Sequence, residues 1–152
     1  MWLVRHAKAG SRSSWSGRDS DRPLVPKGFD QAGAIAARLG GHRITRVLSS
    51  PSLRCQQTVD PLANALGLSV EVHPALDEGQ GPSEALALID SFAQAGTDAV
   101  LCSHGDVIPE VLEQLARRGV ELPLPRHCAK GSIWRLDVHD GTVALGTYLP
   151  PE

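Results

Sequence analysis

DAVLCSHGDVIPEVLEQLARRG, residues 98–119, changes its hydrophobic period part-way along. Asp98 to Cys102 is a compact apolar run of the kind that fills a strand buried on both faces. Beyond Ser103-His104-Gly105 the apolar residues recur at Ile108, Val111, Leu112 and Leu115, the i, i+3, i+4, i+7 stripe of a helix that hides one face. Asp106 is placed to cap that helix, Pro109 lies in its first turn, where proline is tolerated, and Gly119 marks its end. A buried strand feeding a one-sided helix is half of a βαβ unit, which requires a parallel sheet.

The same alternation extends in both directions. Trp2-Leu3-Val4 reads as a buried strand that stops at Arg5 or His6. Residues 10–27, GSRSSWSGRDSDRPLVPK, have no sustained period and read as a long surface loop, a type more often functional than idle. From Gly28 a helical stripe runs through Ala32, Ile35, Ala36 and Leu39 and is ended by Gly40-Gly41. Arg46 to Ser49 is a brief strand. Ser50-Pro51 then reads as a cap with a first-turn proline, opening a helix that carries Val59, Leu62, Ala63 and Leu66 and should kink at Pro61. Leu68 to Val72 reads as a third strand, and Pro82-Ser83 opens a helix with Ala85, Leu88, Ile89 and Phe92 inward. Ser132–Val138 and Thr142–Tyr148 flank His139-Asp140-Gly141, whose Asp-Gly pair signals a hairpin. The expected fold is a three-layer α/β/α domain spanning 1–152, with a mainly parallel central sheet and an antiparallel C-terminal hairpin.

Composition narrows the function. The 152 residues are 41% hydrophobic and 21% charged, as in a globular domain, and 15 basic against 17 acidic residues leave a net charge of −2. Neither a general nucleic-acid surface nor a membrane segment is expected, nor a signal peptide, and three widely spaced cysteines without a CxxC pair suit a reducing cytoplasm. The basic residues are twelve arginines and only three lysines. Arginine's planar fork matches phosphate oxygens two at a time, although surface ion pairs consume arginine equally well. Between Arg5 and Arg22, five basic residues face only Asp19 and Asp21, so that segment could attract an anion.

Ligands of open parallel sheets bind beyond the carboxyl ends of the strands. Those exits carry Arg5-His6-Ala7-Lys8, Ser50-Pro51-Ser52-Leu53-Arg54, Asp77-Glu78-Gly79 and Ser103-His104-Gly105. Two histidines, two arginines and a carboxylate on one rim have a chemical logic. A neutral imidazole can attack phosphorus, a second imidazole and the guanidinium groups can hold the phosphoryl oxygens, and the carboxyl group can protonate a departing oxygen. Such a site needs neither metal nor cofactor. Taken singly each element is weak: Arg54 could merely pair on a helix surface, His104 could be a satisfied core histidine, and Glu78 could be only solvated. Arg5 and His6, as strand neighbours, should point to opposite faces, so the chain must leave strand geometry at Arg5 for both to reach one ligand.

Other chemistries fail on spacing. A cysteine phosphatase needs arginine six residues after its cysteine, where this chain has Pro61, Ile108 and Trp134. There is no GxSxG elbow, Walker loop, HExxH or GxGxxG, and Asp19-Ser20-Asp21 follows a polar loop where an aspartyl-phosphate motif needs an apolar strand.

Leu3-Val4-Arg5-His6 resembles the signature of the histidine phosphatase superfamily, whose fold is that of phosphoglycerate mutase. Ser49 to Thr58 resembles its S-S-P-x-x-R-x-x-Q-T segment, Ser103-His104-Gly105 its second histidine segment, and Asp77-Glu78-Gly79 the loop carrying its acid. The resemblance implies that His6 is the phosphorylated nucleophile. It makes Arg5, Arg54 and His104 the phosphate pocket and Glu78 the proton donor, with Lys8 or Ser11 assisting. Short length, Arg5-His6-Ala7-Lys8 and Asp21-Arg22-Pro23-Leu24 resemble the small SixA-like branch, associated with protein phosphohistidine. The long insertions of the mutases have no counterpart, which disfavours mutase activity. Lys130-Gly131-Ser132 with Leu53 to Thr58 also resembles the phosphatase domain fused to some bacterial Nudix hydrolases, which implies a nucleotide-type substrate.

In the SixA-like branch the acid at the Glu78 position is not obligatory, so its presence favours an ester or anhydride. The expected function is metal-independent hydrolysis of a small phosphomonoester or phosphoanhydride. The alternatives are dephosphorylation of a phosphohistidine protein and a non-catalytic module that binds phosphorylated ligands.

Overall fold

The computed structural model describes residues 1–152. Six strands and four α-helices follow in the order β1 (Trp2–Arg5), α1 (Pro26–Leu39), β2 (Arg46–Ser49), α2 (Leu53–Leu66), β3 (Val70–Val72), α3 (Ser83–Ala95), β4 (Ala99–Ser103), α4 (Val107–Arg117), β5 (Ile133–His139) and β6 (Thr142–Leu149). They form one sheet in the order β3-β2-β4-β1-β5-β6. The first four strands are mutually parallel, β5 is antiparallel to β1, and β6 is antiparallel to β5.

The alternation of side chains along each strand divides the core in two. Trp2, Val4, Val47, Val100, Cys102 and Ile133 face α1 and α2, packing with Ile35, Leu39, Val59 and Leu62. Leu3, Leu48, Leu101, Trp134 and Leu136 face the other way, against Ile89 and Phe92 of α3 and Val111, Leu112 and Leu115 of α4. The result is the three-layer α/β/α arrangement, with a mixed sheet. At the β5–β6 turn Asp140 and Gly141 both have positive φ, 50° and 75°, the backbone a two-residue hairpin loop needs. No helix is long and apolar enough to cross a membrane.

Several boundaries differ from the sequence expectation. α1 starts at Pro26, two residues before Gly28, because proline's fixed φ suits the first helical position. α2 starts at Leu53 behind Ser52, and Ser50-Pro51 lie outside it, since the Ser50 hydroxyl is bonded elsewhere. α2 continues through Pro61 to Leu66. β3 is only three residues long, because Leu68 still belongs to the helix end: its N–H bonds to the Ala63 carbonyl (2.9 Å) across Gly67. The 10–27 loop contains two short 3-10 turns, Arg12–Ser14 and Asp19–Asp21, and Ala9 pairs with Leu24 across its base.

Candidate active site

β1 and β4 are neighbours and end level, Arg5 opposite Ser103, so the residues that follow them leave the sheet side by side. The rings of His6 and His104 lie edge to face with centroids 5.3 Å apart. The His6 N–H bonds to the Ser103 carbonyl (3.0 Å), and its ring Nδ1 lies 2.8 Å from the Ala7 carbonyl. A carbonyl only accepts, so Nδ1 carries the hydrogen and the lone pair of the neutral ring sits on Nε2. Burial is the main force pushing the His6 pKa down to about 3; the Ala7 bond opposes it, and the charges of His104, Arg54 and Arg5 add to it. At neutral pH the ring is therefore uncharged.

Helix α2 is tied to this strand exit by Thr58, whose hydroxyl accepts from the Ala7 N–H (2.9 Å) and donates to the Arg54 carbonyl (2.6 Å). The preceding Gln57 accepts from the Leu24 N–H (2.9 Å) and anchors the end of the long loop.

His104 is held by Ser50. The Ser50 hydroxyl accepts from the Ser52 N–H (3.2 Å), lies 2.8 Å from His104 Nε2, and reaches Asp77 Oδ1 at 3.2 Å. Its one hydrogen goes to the carboxylate, so it can only accept from the imidazole, and His104 Nε2 carries a hydrogen. The other nitrogen, Nδ1, is turned towards Arg54 Nη2 at 3.4 Å.

Arg54 is 1% exposed. It donates to the Asp19 carbonyl (3.0 Å) and is paired with the carboxylates of Asp19 (3.2 Å) and Glu78 (3.3 Å). Arg5 donates to the Cys128 carbonyl (2.6 Å). The Nε atoms of both arginines are buried without a partner, two donors facing no protein acceptor. The chain does not leave strand geometry at Arg5. That residue is the last of β1, its N–H bonded to the Ser132 carbonyl at 3.1 Å. Its long side chain makes up the difference by lying over Gly105, where a Cβ would come within 2.6 Å of the guanidinium carbon.

Glu78 hangs over the pocket, Oε1 on Arg12 (2.9 Å) and Oε2 on Arg54. Its loop is pinned by Asp77 Oδ1 to the Glu78 N–H (2.9 Å) and by Asp106 Oδ2 to the Gly79 N–H (2.8 Å). A cleft of about 460 Å³ opens here, lined by Arg5, His6, Lys8, Ser11, Arg12, Arg22, Glu78 and Lys130. Of the residues singled out from sequence, Arg5, His6, Lys8, Ser11 and Glu78 line the cleft, while Arg54 and His104 are buried behind it against Glu78 and His6. Ser11 is the least committed, its hydroxyl bonded to Ser13 (2.8 Å).

Sequence reasoning missed Arg12 and Asp19, which tie the long loop to Arg54 and Glu78, and Ser50 and Asp77, which orient His104. Only the surplus of basic residues between Arg5 and Arg22 hinted at the first pair. Partial burial raises the Asp19 pKa, but the Arg22 hydrogen bond and the charges of Arg54, Arg22 and Arg12 outweigh it and hold the carboxyl below its ordinary value. No group of three or more His, Cys, Asp or Glu side chains is arranged to hold a metal ion. A cleft of about 590 Å³ at the other end of the strands, beside Trp2, Phe92 and Arg135, gathers no comparable set of groups.

Residues 1–87 match the histidine phosphatase superfamily (branch 1). The chain belongs to this superfamily. Among curated members it is 34% identical to the 8-oxo-(d)GTP phosphatase of Mycolicibacterium smegmatis, over 98% of this chain and 47% of that protein. It is 34% identical to the phosphohistidine phosphatase SixA of Escherichia coli, over 68% of this chain and 62% of SixA. The chain therefore spans about half to three-fifths of the length of these two relatives. A solved structure of the protein histidine phosphatase SixA complexed with tungstate superposes with a TM-score of 0.77 at 27% identity, covering 99% of this chain and 94% of the other. The histidine phosphatase fold is thus present from end to end of the described residues.

Proposed function

We propose that the protein is a phosphatase that hydrolyses phosphomonoesters or phosphoanhydrides through a phosphohistidine formed on His6. The observation that carries this reading is the state of His6, a neutral ring with its lone pair on Nε2 beside a second imidazole, near the buried Arg54 and the half-buried Arg5. The lone pair attacks phosphorus while the bond from phosphorus to the leaving oxygen breaks. Arg5 and Arg54 bind the phosphoryl oxygens, where the charge of the transition state is spread, and His104 joins them as a donor through Nδ1 when that nitrogen also carries a proton. The entering group displaces Glu78 from Arg54, the freed carboxylate takes up a proton from solvent, and Glu78 passes that proton to the leaving oxygen. In the second half water attacks the phosphohistidine, Glu78 takes its proton, the P–N bond breaks and His6 is regenerated. The named activities of the 8-oxo-(d)GTP phosphatase and SixA relatives support phosphoryl transfer.

A second reading is that the substrate is phosphohistidine on a protein. It is favoured by the end-to-end superposition on SixA, which leaves little chain for insertions over the cleft. One set of variants tests both. With labelled p-nitrophenyl phosphate, the wild type should yield an acid-labile phosphoenzyme on rapid quenching and His6→Ala should neither trap label nor turn over. Normal turnover by His6→Ala overturns the mechanism, and tight phosphate binding with no hydrolysis of any phosphorylated compound makes the protein a binding module. Glu78→Gln should lose ester hydrolysis; if it still releases phosphate from a phosphohistidine peptide at the wild-type rate, the second reading takes over.

A further inference from the structure

The proposed phosphoryl pocket uses Arg5, His6, Arg54, Glu78 and His104, and it leaves two cations on the rim, Lys8 and Lys130, without a step in the reaction. Lys8 and Lys130 line the same cleft, and neither ammonium group has an ion pair or a hydrogen bond, whereas every arginine there is engaged. Their backbones are fixed. Gln31, a buried residue of α1, accepts from the Lys8 N–H with Oε1 (2.9 Å) and donates from Nε2 to the Lys130 carbonyl (3.2 Å). The next residue, Gly131, donates its N–H to the carbonyls of both Arg5 and His6 (3.2 Å each). One buried amide and one bifurcated bond therefore seat both lysines against the exit of the strand that carries His6.

The surrounding charge is not balanced by protein. Arg5, Lys8, Arg12, Arg22, Arg54 and Lys130 outnumber the carboxylates of Asp19, Asp77, Glu78 and Asp106. All four carboxylates are already occupied, Asp19 and Glu78 by arginines, Asp77 by the Ser50 hydroxyl and the Glu78 N–H, and Asp106 by the N–H groups of Gly79 and Val107. The Lys130 pKa is lowered, first by burial and then by the charges of Arg5, Arg22, Lys8 and Arg54, as expected where positive potential is uncompensated. A dianionic phosphoryl group bound by Arg5, Arg54 and His104 still leaves both ammonium groups without a hydrogen-bond acceptor or an ion pair.

We propose that Lys8 and Lys130 form a second anion subsite, and that the substrate carries a further anionic group beside the transferred phosphoryl group, as a nucleoside di- or triphosphate does. This rests on the reading of His6 as nucleophile. An uncharged alcohol or a protein imidazole as leaving group would not fill the subsite. Lysine suits it, because a mobile point charge accepts a phosphate oxygen without fixing its orientation.

The test compares GDP with p-nitrophenyl phosphate as substrates for the wild type, Lys130→Ala, Lys130→Arg and the Lys8→Ala/Lys130→Ala double variant. Lys130→Ala should lower kcat/KM for GDP by about tenfold more than for p-nitrophenyl phosphate, chiefly through KM, the double variant further, and Lys130→Arg should restore most of it. Equal losses on the two substrates, or a wild type that does not favour GDP, overturn the subsite. Calorimetry with inorganic pyrophosphate and phosphate separates this outcome from failure of the phosphatase reading. The subsite requires pyrophosphate to bind about tenfold more tightly than phosphate and to lose that margin in the double variant, whether or not any substrate is turned over. Equal binding of the two anions overturns it.

Discussion

The imidazole of His104 is committed by its neighbours before any ligand arrives. Ser50 has one hydrogen and two lone pairs, and Asp77, Ser52 and His104 claim all three. The carboxylate of Asp77 takes the hydrogen, which makes the hydroxyl an acceptor from His104 Nε2 and turns Nδ1 towards Arg54 and the pocket. Asp77 is thus a positioning residue that acts through Ser50. Asp77→Ala should lower kcat on p-nitrophenyl phosphate by about 10²-fold, the scale of one lost transition-state donor. Asp77→Asn keeps an oxygen facing Ser50 and should recover much of that loss; equal activity in the two variants, at unchanged thermal stability, would refute the relay. This chain of contacts was not legible in the sequence. Ser50 before Pro51 has the local signature of a helix cap, and only a contact 54 residues away shows that its hydroxyl is used otherwise. Arg12 and Glu78, 66 residues apart, were unreadable as a pair for the same reason. His6 and His104 were legible because each directly follows a strand, and Arg54 and Glu78 because each lies in the segment a strand leads into, the first turn of α2 and the loop after the 3-10 turn beyond β3, where the chemistry of the residue type suffices to raise the question.

At the scale of elements, hydrophobic period placed all six strands and four helices, and local chemistry set where they begin. The errors fall at helix starts and at β3, where proline, a serine hydroxyl or a helix-ending hydrogen bond decided the boundary within two or three residues. The Arg5 problem is also one of elements. A strand directs neighbouring side chains to opposite faces, and the turn from β4 into α4 resolves it by presenting Gly105, a residue with no Cβ, under the Arg5 guanidinium. Gly105→Ala should therefore act on function more than on folding, since the atoms it meets belong to the far end of a flexible side chain. We expect kcat/KM for p-nitrophenyl phosphate to fall on the order of 10²-fold with the melting temperature nearly unchanged. A large loss of melting temperature would show that the turn itself, not Arg5, needs the glycine.

For the molecule as a whole, the two-sided core leaves the carboxyl ends of the parallel strands as the place where polar side chains gather, and holding a neutral imidazole there has a consequence for global stability. His6 is 6% exposed, and its pKa lies at about 3 in the folded protein against an ordinary value of 6.5. Above pH 6.5 the ring is neutral in both folded and unfolded chains and contributes no pH dependence. Below it, the unfolded chain binds a proton at His6 that the folded protein refuses until pH approaches 3, so stability falls with falling pH across that window. The slope from this one group approaches about 1.4 kcal/mol per pH unit. His6→Asn removes the titrating ring and with it the slope. Urea unfolding of both proteins at about pH 6 and about pH 4 should show the wild type losing on the order of 2 kcal/mol relative to the variant. Parallel pH dependence would mean that His6 takes up its proton in the folded protein at an ordinary pH, and would refute the claim that burial at the strand exit excludes the charged ring.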